Sequence, residues 1–481
     1  MRTNLGRSLT FLVAVALAAA AASYAPSADV TRALASVSGD SLRANLSFLA
    51  SDVLEGRDTP SRGLDVAAEF IAAQFRRAGL EPAGDDGYFQ TASLLRAVPA
   101  PEGFELRVSN GARTLTVPRD GAAVVSTVGL EFQNAPLLKI GETAGLKAES
   151  VRGRIVLLSP LREKAEEQAR AIAAFAPIAF LQAEDYQNQP VVRRLADPDA
   201  EYPIYRGIPR IVVRDRDAAD ILFDAKEGET GITLSMKLRE PSPVVKVRNV
   251  AGVLRGSDPM LRDQYVLLSA HYDHIGLRDG GGVFPGANDD ASGTASVIEI
   301  AQALAGLHVR PKRSILFVTF FGEEEGSLGA RYYVWHPLVP LAETVADLNL
   351  EQVGRTDSKN GPEISNATLT GFTYSNIARI LQDAGGVTGV KVYETPGADE
   401  FYSRSDNLPF AEHGIPSHTL VVAFEFPDYH DAGDVWQKID YANMAKVDRM
   451  VALGVVMLAD RPGRPRWNEE NPNVTRYVEA R

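Results

Sequence analysis

Residues 265–276 read YVLLSAHYDHIG, a short and mostly apolar run that ends in two histidines and an aspartate within six positions. An apolar stretch of this length, bounded by loop-forming residues, reads as a strand buried on both faces. His271, Asp273 and His274 then stand at its carboxyl end, where open α/β sheets gather their ligands. Whether they decorate a strand terminus or form one corner of a metal site depends on what the other strand ends carry.

The segments downstream repeat the pattern. RSILFVTFF (313–321) runs into Glu323, Glu324 and Glu325, VADLNL (345–350) runs into Glu351, and Asp289 and Asp290 lie in the loop before a helix that opens at Ser292. These runs alternate with the helical stretches SGTASVIEIAQALAGL (292–307) and YSNIARILQDAGG (374–386). The alternation predicts an α/β fold with a mixed, mainly parallel central sheet flanked by helices.

Upstream, residues 40–80 read as two amphipathic helices around a Gly-Arg-Asp-Thr-Pro turn, the second closing at Gly79. From about Leu115 to Glu240 the texture changes to short β-type runs, RIVLLS (154–159), PIAFLQ (177–182) and PRIVVR (209–214), with one helical stretch between them. A smaller β-rich inserted domain is expected there. The resulting plan is a signal segment at 1–25, the first part of the main domain at 26–114, the insertion at 115–240, the main domain at 241–463 and a carboxy-terminal tail at 464–481.

Residues 1–25 run from two arginines through an apolar stretch to small residues, the order of a secretory signal. An exported protein, periplasmic or extracellular, is expected. No other window approaches the ~20 apolar residues of a membrane span. Losing Arg2 and Arg7 with the signal takes the formal charge from −12 to −14, which argues against a nucleic-acid or anionic-membrane partner. The chain has no cysteine, so any metal must be held by His, Asp and Glu.

One acid at a strand end is ordinarily a cap or a solvated group. Four acidic or histidine-bearing clusters at strand ends and loops need a different account, because converging carboxylates repel one another and are tolerated mainly where cations neutralise them. Histidine with Asp and Glu suits zinc in a catalytic role, with positions left open for water and substrate. Of the seven histidines, His308 and His336 sit in loop-like, surface settings, whereas His430, in a polar loop before the final helix, is the best further partner for His271. No HExxH occurs, so the ligands must come from separate loops rather than one helix.

Taken in order, AHYDHIG (270–276), GANDDASG (286–293), FFGEEEGSLGA (320–330), LNLEQVGR (348–355), SRSDNLPFAEHGIP (403–416) and YHDAGDVWQKID (429–440) resemble metallopeptidase family 28. These are the co-catalytic di-zinc aminopeptidases related to glutamate carboxypeptidase and glutaminyl cyclase. The resemblance begins at SFLASDVLEGRDTPS (47–61) and runs to the last helix, with a middle segment similar to a protease-associated domain. It implies a zinc-exopeptidase, phosphorylase/hydrolase-like fold holding two Zn2+ per chain. His271, Asp289 and Glu351 would hold one ion and Asp289, Glu324 and His430 the other, with Asp289 bridging. Asp273 would fix the tautomer of His271. Glu323 would be the general base for a two-zinc-activated water. Tyr402 matches a tyrosine that in some members hydrogen-bonds the developing oxyanion, the alternative being a packed core tyrosine. The peptide bond after Asp289 would be cis.

The chain departs from the family pattern twice: Glu351 stands where most of its aminopeptidases have Asp, one methylene shorter, and Asn407 stands where relatives often have His. The resemblance implies a secreted exopeptidase acting on peptides. A carboxypeptidase or dipeptidase, then a glutaminyl cyclase, then a non-catalytic scaffold are the alternatives. The loops expected at the mouth carry Asp399, Glu400, Asp406, Asp428, Asp431 and Asp434 against the single Arg404, which is expected to support its loop or line the primed side. This balance favours capture of a substrate amine, and hence an aminopeptidase.

Overall fold

The computed structural model describes residues 24–96, 102–183, 195–196, 208–278, 280–359 and 361–480. Up to residue 23, the expected signal segment lies outside the described residues. No helix among the described residues is long and apolar enough to cross a membrane.

The main sheet has ten strands. At its centre the strands Ser314–Phe320, Tyr265–His271, Thr344–Leu350 and Ser417–Val421 lie side by side, all parallel. Every residue of all four is buried, as expected of parallel strands covered on both faces. Side-chain alternation divides them between two cores. Val266, Leu268 and Ala270 join the larger core, under the helices Ser292–Ala305 and Tyr441–Asp460 and the amino-terminal helices. Tyr265 and Leu267 join a second core, with Tyr333 and Phe410, on the opposite face. On one side Val244–Leu254 pairs antiparallel with Ser314–Phe320 and with Phe89–Arg96; on the other Asn366–Leu369 joins Ser417–Val421 antiparallel and Lys391–Tyr393 in parallel. The sheet is mixed, as expected, with a parallel centre.

The amino-terminal region forms helices Ala28–Ala35, Gly39–Leu49 and Arg62–Ala78, the last closed by Gly79 in the left-handed conformation. Only the first of these has no counterpart in the sequence expectation. A second sheet, of eight strands, runs from Glu105–Ser109 to Gly228–Leu238, and so begins upstream of the expected boundary at Leu115. It has its own buried clusters, one around Leu106, Leu181 and Leu234. Its two ends join main-sheet strands that are hydrogen-bonded neighbours, Val244 lying opposite Leu95. An insertion with adjacent ends leaves the host sheet in register.

The turn after Gly39–Leu49 braces the functional face. Gly56 has φ +69° and lies so close to the carbonyls of Gly276 and Phe284 that any Cβ would strike them. Beside it the fully buried Arg57 sends Nε to the Tyr272 carbonyl (2.8 Å), Nη1 to the carbonyls of Leu49 and Pro285, and Nη2 to that of Gly286 (2.9 Å). One guanidinium thus ties both ends of the loop between His271 and Asp289. Replacing Arg57 by Ala would take a donor from four carbonyls, of which that of Gly286 keeps the Ala291 N–H, and a loss of about 3 kcal/mol or more is expected in urea unfolding. Arg57→Lys should recover little, since an ammonium cannot span that fork. A midpoint unchanged in Arg57→Ala would show that the loop is held elsewhere.

Candidate metal centre

Three neighbouring parallel strands deliver the first donors. His271 ends its strand, Glu323 and Glu324 follow Ser314–Phe320 within four residues, and Glu351 follows Leu350 directly. Asp289 comes from the kinked segment Ala287–Ala291 before the helix opening at Ser292, and the Asp289–Asp290 peptide is cis, as the family resemblance implies. His430 enters from the loop after Ser417–Val421 with φ +52°.

The bridging segment is fastened from several sides. Asp434 accepts the backbone N–H of Asn288 (2.9 Å) and of Asp289 (3.1 Å). The Asn288 side-chain oxygen accepts from the N–H groups of Gly354 and Arg355, and Asp290 Oδ1 accepts from Gly293 and Gln352. The loops carrying Asp289, Glu351 and His430 are thereby one hydrogen-bonded unit. Asp273 acts likewise for the third loop: Oδ1 accepts the Glu323 N–H at 3.1 Å and lies 3.5 Å from His271 Nδ1.

Two groups of donors converge, each within the span a single ion could bridge: His271, Asp289 and Glu351, and His274, Asp289, Glu324 and His430. His271 Nε2 lies 3.4 Å from Asp289 Oδ1, and His430 Nε2 lies 3.2 Å from both Asp289 Oδ2 and Glu324 Oε2. Asp289 is common to both groups, one oxygen facing each. Both nitrogens of His271 and of His274, Nε2 of His430 and Oε1 of Glu324 are buried without a hydrogen-bond partner. Orphaned buried donors are costly, and a cation at each convergence point would satisfy them together.

The protonation pattern carries the same message. Burial works against the charged form of His271, yet Asp273 and Asp289 hold its proton well above the ordinary imidazole range. Burial likewise opposes the His430 cation, but Asp289 and Glu324 raise it to about 10. Burial, reinforced by Glu351 and Asp406 against the pull of His271, pushes Glu323 well above the carboxylate range, and Glu351 is pushed up to about 7, chiefly by burial. Carboxylates crowded in a partly buried cleft are tolerated where positive charge offsets them.

A cavity of about 600 Å³ opens onto this point. Asp289, Glu323 and Glu351 line it together with Phe401, Phe424 and Phe426, and Arg404 lines it while stacking over the Phe401 ring at 5.0 Å.

Several expectations need correction. Tyr402 does not face the cavity: its hydroxyl donates to the Ser417 carbonyl at 2.8 Å, and its ring packs in a cluster with Tyr374, Trp467 and Tyr477. The residues expected as a tail supply Trp467 and Tyr477 and so bury it. Of the acids expected at the mouth, Asp434 and Asp406 are buried and Asp428 is paired with Arg355 and Lys438. Sequence reasoning assigned no role to His274, although HYDH at 271–274 was the signal. It also missed Asp434 as an anchor, for want of any local pattern that separates an anchoring acid from an exposed one.

Asp289→Asn is expected to lose both ions in metal analysis after gel filtration, because each loses its shared oxygen. Glu351→Gln should lose one. Retention of two ions by the Asp289 variant would contradict the shared position.

Comparison with known proteins agrees with this geometry. Residues 249–455 match Peptidase family M28. A "Probable zinc metalloprotease" of Pyrenophora teres f. teres is 38% identical over 257 residues, 46% of this chain and 50% of that protein. "Aminopeptidase YwaD" of Bacillus subtilis is 26% identical over 269 residues, 54% of this chain and 53% of that one. The chain thus spans about half the length of these curated relatives. Among solved structures, the aminopeptidase from Aneurinibacillus sp. strain AM-1 superposes with a TM-score of 0.55 over 90% of this chain and 97% of that one, at 18% identity, a likeness of fold. The strand-end donors and the sequence match coincide, every residue of the two donor groups lying within the stretch that matches Peptidase family M28.

Proposed function

We propose that this protein is an exported zinc-dependent exopeptidase, an aminopeptidase that hydrolyses the first peptide bond of unblocked peptides. The observation that carries this reading is the sharing of Asp289 between two donor groups, with Glu323 beside them and lining the cavity. The zinc and the aminopeptidase activity named for two of the relatives support it.

His271, Asp289 and Glu351 would hold one ion and Asp289, Glu324 and His430 the other. Ions held there would offset the charge of the site, and one with an open position would supply Lewis acidity toward a carbonyl. Glu323 then takes a proton from the attacking water and returns it to the leaving amine, which its place in the cavity lining allows. Asp273 accepts the Glu323 backbone N–H and stands 3.5 Å from His271 Nδ1, which sets base and ligand side by side. The apolar walls suit an apolar side chain and exclude water from it. A substrate ammonium would meet Glu351 and Glu323 in the cavity lining, an argument that survives the removal of the mouth acids. Arg404 favours a second reading, as a carboxypeptidase or dipeptidase, because its guanidinium faces the cavity where a terminal carboxylate could reach it. Lys359, the other cation there, is paired with Glu425 at 3.4 Å.

Amino-terminal acetylation of a test peptide should abolish cleavage while carboxy-terminal amidation leaves it intact; the reverse pattern would establish the second reading. Glu323→Gln should retain its metal and lower kcat by roughly 10²–10⁴-fold. A variant depleted of metal would instead make Glu323 a ligand.

A further inference from the structure

We infer that His274 is a fourth protein ligand to the ion at Asp289, Glu324 and His430, which makes the two ion positions unequal: one filled by protein donors, the other open toward substrate. The inference rests on the two-ion reading and adds a residue that the family resemblance does not assign.

His274 is fully buried, and neither ring nitrogen has a hydrogen-bond partner. An imidazole with both nitrogens buried and unpaired is unfavourable unless something absent from the protein chain itself accepts a lone pair. Its Nδ1 lies 2.8 Å from Glu324 Oε1, yet the two do not make a hydrogen bond. Donors that face a common point rather than each other have this geometry. Tetrahedral ligands about 2.1 Å from one ion stand roughly 3.4 Å from one another. The two separations of 3.2 Å at His430 Nε2 are close to such a shell, and the 2.8 Å between His274 and Glu324 would widen slightly on ligation.

The ring is also held in place. The His274 N–H donates to the Arg57 carbonyl, and Gly286 lies so close to the imidazole that a Cβ there would sit 2.4 Å from its Cγ. The His430 ring stands edge-on, 5.5 Å away between centroids. A donor so confined is preorganised, and little entropy is lost when it ligates.

The contrast with the other group gives the inference its consequence. His271, Asp289 and Glu351 are three donors, and three protein ligands leave a tetrahedral ion one position for another molecule, whereas four close it. Asp289, Glu351 and Glu323 line the cavity, but His274, Glu324 and His430 do not. The open position therefore faces the substrate, and the closed one lies behind it as a charge-compensating anchor.

Zinc binding to the full chain, measured in chelator-buffered solutions, tests this. The wild type should bind two ions of unequal affinity. His274→Phe, which keeps the ring volume, and His274→Ala should each weaken the tighter ion by about tenfold or more and leave the other unchanged. Binding curves that superimpose on the wild type, or weakening of the looser ion, would overturn the inference. A wild type that holds fewer than two ions would instead refute the two-ion reading, and this shows before any variant is made. Should neither variant fold, anomalous diffraction from zinc-loaded wild-type crystals decides: a His274 nitrogen about 2.1 Å from an ion is expected, and an ion with His274 outside its shell would reject it.

Discussion

Crowded charge at Asp289 is the constraint around which this molecule is arranged. Five strand-end and loop segments bring four carboxylates and three imidazoles to one place, with His271, His274 and Asp289 buried and the others partly so. Two like charges 4 Å apart repel by about 4 kcal/mol even at an effective dielectric of 20. Such a site persists only if positive charge is supplied and if the loops cannot spread to relieve the strain. The second condition is met by the protein: Asp434, Asn288 and Asp290 lash the bridging segment to its neighbours through backbone N–H groups, and Arg57 holds the loop that leads to it. The first would be met by cations held at the two donor groups.

The fold serves that convergence. Parallel strands place all their carboxyl ends on one edge, so three adjacent strands present His271, the Glu323–Glu324 pair and Glu351 within reach of a common partner. Neighbouring residues leave an extended segment on different sides, which lets Glu324 enter a donor group while Glu323 lines the cavity. The longer Glu351, where an aspartate is usual in the family, still brings a donor atom to His271 and Asp289. The smaller sheet is spliced between two antiparallel neighbours and leaves the parallel centre undisturbed.

Much of this was legible in the residues. The apolar runs ending at His271, Phe320 and Leu350 announced both the strands and the edge where chemistry would gather, because burial on both faces leaves polar residues only at the ends. What escaped was whatever depends on contacts distant in sequence. Asp406 and Asp434 look like solvated loop acids until neighbouring loops close over them. Tyr402 is turned away from the cavity by Trp467 and Tyr477, in a segment that carries no periodic pattern. His274 lies three residues after His271, but only the return of Glu324 and His430 to its side shows what it faces.

Titration of the metal-free protein with zinc, following hydrolysis of an unblocked aminoacyl anilide, tests the central claim most directly. The account predicts no turnover without metal, a rise to a plateau at two equivalents, and complete loss on chelation. Full turnover in the metal-free protein, or a plateau reached at one equivalent with no second ion bound, would contradict it.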